Sequence, residues 1–156
     1  MDNYQRMLDL VVNFFGTRND LDQISVTDEE REHLEKIHPA TMTEVANDDG
    51  PILWLLILPT TTVLMEQFIS GALTEKQLLD QTPVGIAYDA IYLCSVYVLP
   101  EFRKQGLAKK TTLEAVNKIR ADFAIKSLFY WPFSNEGKDL ALSISKELNL
   151  PLHERT

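Results

Sequence analysis

The chain of 156 residues holds a single cysteine, Cys94. That excludes an internal disulfide and a cysteine-based zinc site. Long apolar runs are also missing: the longest, Pro51 to Pro59, has nine residues, whereas a membrane helix needs roughly 20. Asp2, Arg6 and Asp9 interrupt the apolar residues at the N-terminus, so no secretory signal is expected and a cytoplasmic location is. Bases are few, 15 against 23 acids for a net charge of −8. Nucleic-acid binders draw most of their affinity from a basic face, so neither nucleic acid nor a membrane is an expected partner. Six glycines give no dinucleotide fingerprint, and Gly106 to Thr112 has one glycine too few for a Walker loop. No Gly-x-Ser-x-Gly elbow exists. His33 and His38 stand five apart without a third ligand nearby, so no metal site is expected.

What is present is a globular composition, 45% apolar and 24% charged, in a chain long enough for one domain and too short for two. Residues 1–156 are read as a single domain. Charge is spread unevenly: residues 1–58 carry twelve acids and four bases, residues 101–156 seven acids and ten bases. A basic C-terminal third on an acidic chain points to a local anion site.

Tyr4, Leu8, Val11 and Phe15 form one helical stripe that Gly16 is expected to end. Gln23 to Val26 reads as a short strand. Thr27 to Glu30 has capping-box spacing for a helix from Asp28 to Ile37, stopped before Pro39. The turn Asn47-Asp48-Asp49-Gly50 introduces a buried strand from Ile52 to Leu58. Leu64, Met65, Phe68 and Ile69 recur at helical spacing until Gly71, and Thr74 to Gln77 opens another helix. Uncharged Ala90 to Pro100 reads as a central strand. Leu113, Val116, Ile119 and Phe123 mark a core-facing helix, and Ser127 to Trp131 a strand. Asn135 is expected to cap a last helix that Pro151 ends. The class is mixed, α/β (α+β).

The anion site has a candidate. Val96-Tyr97-Val98-Leu99-Pro100 is the end of the central strand, Glu101 to Gln105 a polar turn, and Gly106 to Lys109 the start of a helix. Main-chain N–H groups at such a turn point outward together and attract an anion. Gly106 lets the backbone approach a phosphate, small Ala108 keeps the first helical turn open, and Arg103, Lys104 and Lys109 add positive charge.

This stretch resembles the GNAT superfamily of N-acetyltransferases. Its signature is an Arg/Gln-x-x-Gly-x-Gly/Ala turn after a Val-x-Pro-x-(Tyr/Phe)-Arg lead-in, and Val98 to Arg103 and Arg103-x-x-Gly106-x-Ala108 match both parts. The resemblance implies a mostly antiparallel mixed sheet splayed between its fourth and fifth strands, with helices on both faces. It implies acetyl-CoA as co-substrate, with Val96, Tyr97 and Val98 pairing with the pantetheine arm. The turn Arg103, Lys104, Gln105, Gly106, Leu107, Ala108 and Lys109 would cradle the pyrophosphate. Asn135, four residues after Trp131, falls where the family has an asparagine that contacts the arm.

Two features depart from the family. Ser145, or Leu142 by another count, stands where the family has a tyrosine acid, and the six residues after Leu150 are too few for two final strands. The C-terminal hairpin is therefore expected to be truncated, with a second copy of the chain as cover for the exposed sheet edge. The catalytic candidates are Ser145, Tyr92 and Asp89, with Glu44, Asp48 and Asp49 as further conceivable bases. The expected activity is direct acetyl transfer to the amine of a small molecule or peptide. The alternative is a degenerate acyl-CoA-binding sensor or interaction module without turnover.

Overall fold

The computed structural model describes residues 2–18 and 27–156, and of residues 14–18 the backbone alone. Helix α1 (Asn3–Arg18) runs through Gly16 instead of ending there. Its buried stripe is displaced from the expected one: Asn3 and Met7 are buried, while Tyr4 is 54% exposed. A polar residue causes the shift. The Asn3 side chain donates to Asn47 Oδ1 at 3.2 Å and turns inward, and helical spacing then brings Met7 and Leu10 onto the same side. The strand read at Gln23 to Val26 lies outside the described residues.

Helix α2 (Asp28–Ile37) starts as its cap requires, Thr27 accepting the Glu30 N–H at 3.3 Å. A 3-10 turn (Pro39–Thr41) leads into β1 (Met42–Asn47), and Asp48-Asp49 turns the chain into β2 (Gly50–Thr60). The Asn47 side chain accepts the Asp49 N–H at 2.9 Å, an Asx turn that fixes the hairpin. Next come α3 (Thr62–Ile69) and α4 (Glu75–Gln81), the second with a complete capping box between Thr74 and Gln77. They are followed by β3 (Ala90–Val98), α5 (Leu107–Asp122), β4 (Ser127–Tyr130), α6 (Asn135–Leu148) and β5 (Leu152–Glu154).

The five strands form one mixed sheet in the order β1-β2-β3-β4-β5. Its first two junctions are antiparallel and its last two parallel, so it is evenly mixed where a mostly antiparallel sheet was expected. In place of a terminal hairpin the described chain has one short strand, β5, paired with Leu128, Phe129 and Tyr130 of β4.

Register sorts the helices onto two faces, because paired residues point the same way. Trp54 with Tyr97, Leu58 with Tyr92, and Tyr92 with Phe129 define one face. There Met7 of α1 packs with Ile52 and Leu99, and the Phe68 ring of α3 meets Tyr92 at 4.9 Å and Phe129 at 6.0 Å. From α4, Glu75 accepts the Tyr92 hydroxyl proton at 2.5 Å. The opposite face, with Leu53, Leu55, Ile57, Val96 and Val98, is covered by α5. Helices α2 and α6 flank α5, α2 through His38 to Asp122 at 2.7 Å and α6 through Glu147 to Lys109 at 3.8 Å. No helix among the described residues is long and apolar enough to cross a membrane.

Candidate functional site

The site begins with an irregularity in β3. Leu56 pairs with Ser95 and Ile57 with Leu93, so the β2–β3 register shifts by one residue at Cys94, a β-bulge. Bulges bend a strand and end pairing. On the other edge of β3 the ladder to β4 runs from Ala90 to Leu93, its last pair being Leu93 with Tyr130. Past the bulge the two parallel strands part, and no strand among the described residues pairs that edge of Ser95 to Val98. Alternation decides which groups face the opening. The Leu99 N–H donates to Ile52 of β2 at 3.0 Å, so Tyr97 also faces β2 and Val96 and Val98 face the gap. The Val98 carbonyl indeed accepts from Arg103 Nε at 2.9 Å.

The connection to α5 forms the mouth of this gap. A 3-10 turn (Pro100–Phe102) is followed by Arg103, then by Lys104 at φ 62° and Gly106 at φ 77°. Gly106 caps α5 in the left-handed region without any side-chain hydrogen bond. A Cβ at Gly106 would meet nothing within 4 Å, so the space before it is open. The first N–H groups of α5 have no acceptor within the helix and carry the positive end of its dipole. Chain tethers hold the turn in place. Arg6 of α1 donates twice to Glu101, at 2.9 and 2.6 Å, and Gln105 donates to the Glu101 carbonyl at 3.0 Å. The Arg6 hydrogen bonds hold the Glu101 carboxyl below the usual carboxylate range, and Glu101 raises the Arg6 guanidinium in return.

Together these elements enclose a cleft of about 690 Å³, within the range of small-molecule sites. Its walls come from both faces of the sheet: Leu55 and Ile57 beneath, Thr112 of α5, Leu140 and Ala141 of α6, and Leu10 and Asn13 of α1. Tyr130 stands at the fork, 5% exposed, its hydroxyl donating to Glu154 at 3.1 Å. Burial first, and the Glu154 carboxylate second, raise its pKa above the ordinary tyrosine value. Trp131 and Phe133 continue the wall with ring centroids 4.6 Å apart. The Arg155 guanidinium lies 4.2 Å from the Trp131 ring centre.

Of the residues expected to hold the co-substrate, Val96, Tyr97, Val98, Arg103, Lys104, Gly106, Leu107, Ala108 and Lys109 line this one cleft. Gln105 and Asn135 are not among its lining residues. Asn135 is not the helix cap either: Ser134 accepts the Gly137 N–H at 3.0 Å, and Asn135 is the first helical residue. The catalytic candidates lie elsewhere. Tyr92 is buried against Glu75 and Phe68. Asp89 accepts the Thr62 N–H at 2.7 Å at the start of α3, and Ser145 donates to the Leu150 carbonyl at 2.6 Å. Glu44 accepts from the Trp54 indole at 2.7 Å, and Asp48 and Asp49 form the hairpin turn. His33 and His38 bond Thr82 and Asp122, and no metal-holding group occurs among the described residues.

Sequence reasoning missed the Cys94 bulge, Tyr130 and the α1 wall. The bulge leaves only a faint mark, two small residues, Cys94 and Ser95, inside a run of large ones. No protein-family model matches this sequence, and a comparison with curated proteins returns no match.

Proposed function

We propose that this chain is an acetyl-CoA-dependent N-acetyltransferase of the GNAT type that transfers the acetyl group directly to an amine. The observation carrying the reading is a coincidence of two features in one cleft. The β3–β4 ladder stops at Leu93, and the Gly106 turn, whose helix start has no side-chain cap, lines the same cleft. An extended amide-bearing arm suits the first feature, since the outward groups of Val96 and Val98 offer it a strand-like edge. A pyrophosphate suits the second, where outward N–H groups, the α5 dipole and Arg103, Lys104 and Lys109 meet. Acetyl-CoA carries both parts along one chain. Placing the thioester beside the Cys94 bulge would leave the far end of the cleft for an acceptor. Holding two reactants in register is itself a large source of rate.

The second reading, an acyl-CoA-binding module without turnover, is favoured by one observation: Ser145, Tyr92 and Asp89 are all engaged outside the cleft. Two measurements separate the readings. Desulfo-CoA titrated calorimetrically into the protein is expected to bind, because the turn does not contact sulfur. Thiol release from acetyl-CoA over a panel of amines is expected to exceed spontaneous hydrolysis. Binding without release makes the chain a module; no binding removes both readings.

A further inference from the structure

Resting on that reading of the cleft, we infer that Arg6 is a positioning residue for the phosphate-holding turn, tying the seating of α1 to the affinity for CoA through Glu101. Neither Arg6 nor Glu101 is among the described residues that line the cleft, so the pair acts on a ligand through the turn and not by touching it. Arg6 donates from both terminal nitrogens, to Glu101 Oε2 at 2.9 Å and to Oε1 at 2.6 Å. Such a two-bond fork fixes direction as well as distance. The α1 end of the fork is steadied in turn. Asn3 accepts from Arg6 Nη1 at 3.4 Å and donates to Asn47 of the β1–β2 hairpin at 3.2 Å. At the other end Glu101 lies in the 3-10 turn, and its carbonyl accepts from Gln105, the residue before Gly106, at 3.0 Å.

Apolar contacts repeat the connection. Leu10 of α1 packs against the cluster of Met7, Ile52 and Leu99, and so do Phe102 and Leu107. Phe102 and Leu107 stand on either side of Arg103 to Gly106, so a cluster built partly from α1 grips the turn at both ends. The segment between them needs that support. Lys104 carries a side chain at φ 62°, a backbone form that persists only where its surroundings impose it. Leu10 and Asn13 also bring α1 onto the cleft wall. A ligand held by the turn therefore favours the seated helix, and the seated helix favours the ligand by the same factor.

The test is a double-mutant cycle on the full chain, with desulfo-CoA binding measured by calorimetry. Arg6→Ala and Glu101→Ala should each weaken desulfo-CoA by about two- to fivefold, the range open to an exposed pair of good geometry. The double variant should be no weaker than the worse single one, because both changes remove the same contact. Glu101→Ala is the telling arm. Removing a negative charge near bound phosphates would by itself tighten binding, so weakening there reports position and not charge. Hydrogen exchange reads the coupling from the other side. Saturating desulfo-CoA should slow the amides of residues 7–13 by at least about threefold. Both substituted side chains are partly exposed, and unchanged exchange in β2 and β3 shows that each variant is folded. If desulfo-CoA binds the wild-type chain but Glu101→Ala leaves its affinity unchanged or tightens it, the inference is overturned while the CoA site stands. The same holds if the two effects add, or if exchange in α1 ignores the ligand. If desulfo-CoA does not bind the wild-type chain, the reading of the site falls and the inference with it.

Discussion

At Gly106 the backbone sits at φ 77° with open space where a side chain would be. Gly106→Val places a branched side chain in that space and strains the turn by about 1–3 kcal/mol. Desulfo-CoA affinity is expected to fall by more than about tenfold, equivalent to 1.4 kcal/mol. Tyr92→Phe should do the reverse: Glu75, 1% exposed, loses its phenol donor, and stability in urea drops by about 1–3 kcal/mol with binding unchanged. Tyr130 and Tyr88 predict an alkaline limit. Burial raises both phenols above the ordinary tyrosine value, so the native state holds these protons more tightly than the unfolded chain. Their contribution is whole below about pH 10 and is lost as pH rises from there through the higher folded values. Urea midpoints measured into the alkaline range should therefore fall, and Tyr130→Phe should make that fall shallower.

The elements differ in how securely they are held, and α1 is the peripheral one. It touches β2 and β3 through a small cluster of Met7, Ile52 and Leu99, and the Arg6–Glu101 pair fastens it to the turn. Because Arg6 depresses the Glu101 pKa, the pair's contribution is present above the ordinary carboxylate pKa and is lost as pH falls through the lower folded value. Arg6→Ala is expected to speed amide hydrogen exchange in α1 while β2 and β3 keep their protection, and salt should act in the same direction. Elements with local signals were legible in the sequence. The caps of α2 and α4 are written by Thr27 and Thr74, and the hairpin by Asn47 to Gly50. The turn at Arg103 to Lys109 was legible as a strand–helix junction for the same reason, since Pro100 and Gly106 mark it locally. The face of α1 was not, because a buried Asn3 bonded to Asn47 breaks the apolar pattern. Nor was the Cys94 bulge, which depends on how β2 and β4 pair around it. The cap at Ser134 was missed because Ser134 and Asn135 are both good caps, and only the Gly137 contact chooses between them.

For the whole molecule, the sheet is continuous from β1 to β5 only as far as Leu93. Beyond it the Val96 edge of β3 and the wall made by Trp131 and Leu140 stand apart across the cleft. A ligand that spans the gap touches both sides and the α5 turn at once, an arrangement the unfolded chain does not offer. Binding therefore stabilises by mass action: at about 100 times its dissociation constant, acetyl-CoA should add roughly 2.7 kcal/mol. For a domain of this size that is a rise in Tm of roughly 5–10 °C. On the proposed reading desulfo-CoA should give much of the same shift, because the turn would hold phosphate and the β3 edge amide groups. Raising the salt to about 0.5 M should shrink it, since on that reading Arg103, Lys104 and Lys109 would act on the phosphates through partly exposed charge. Scanning calorimetry with and without ligand, at both salt concentrations, measures all of this on the intact chain. A Tm that does not move in millimolar acetyl-CoA would mean that the gap between β3 and β4 receives something else.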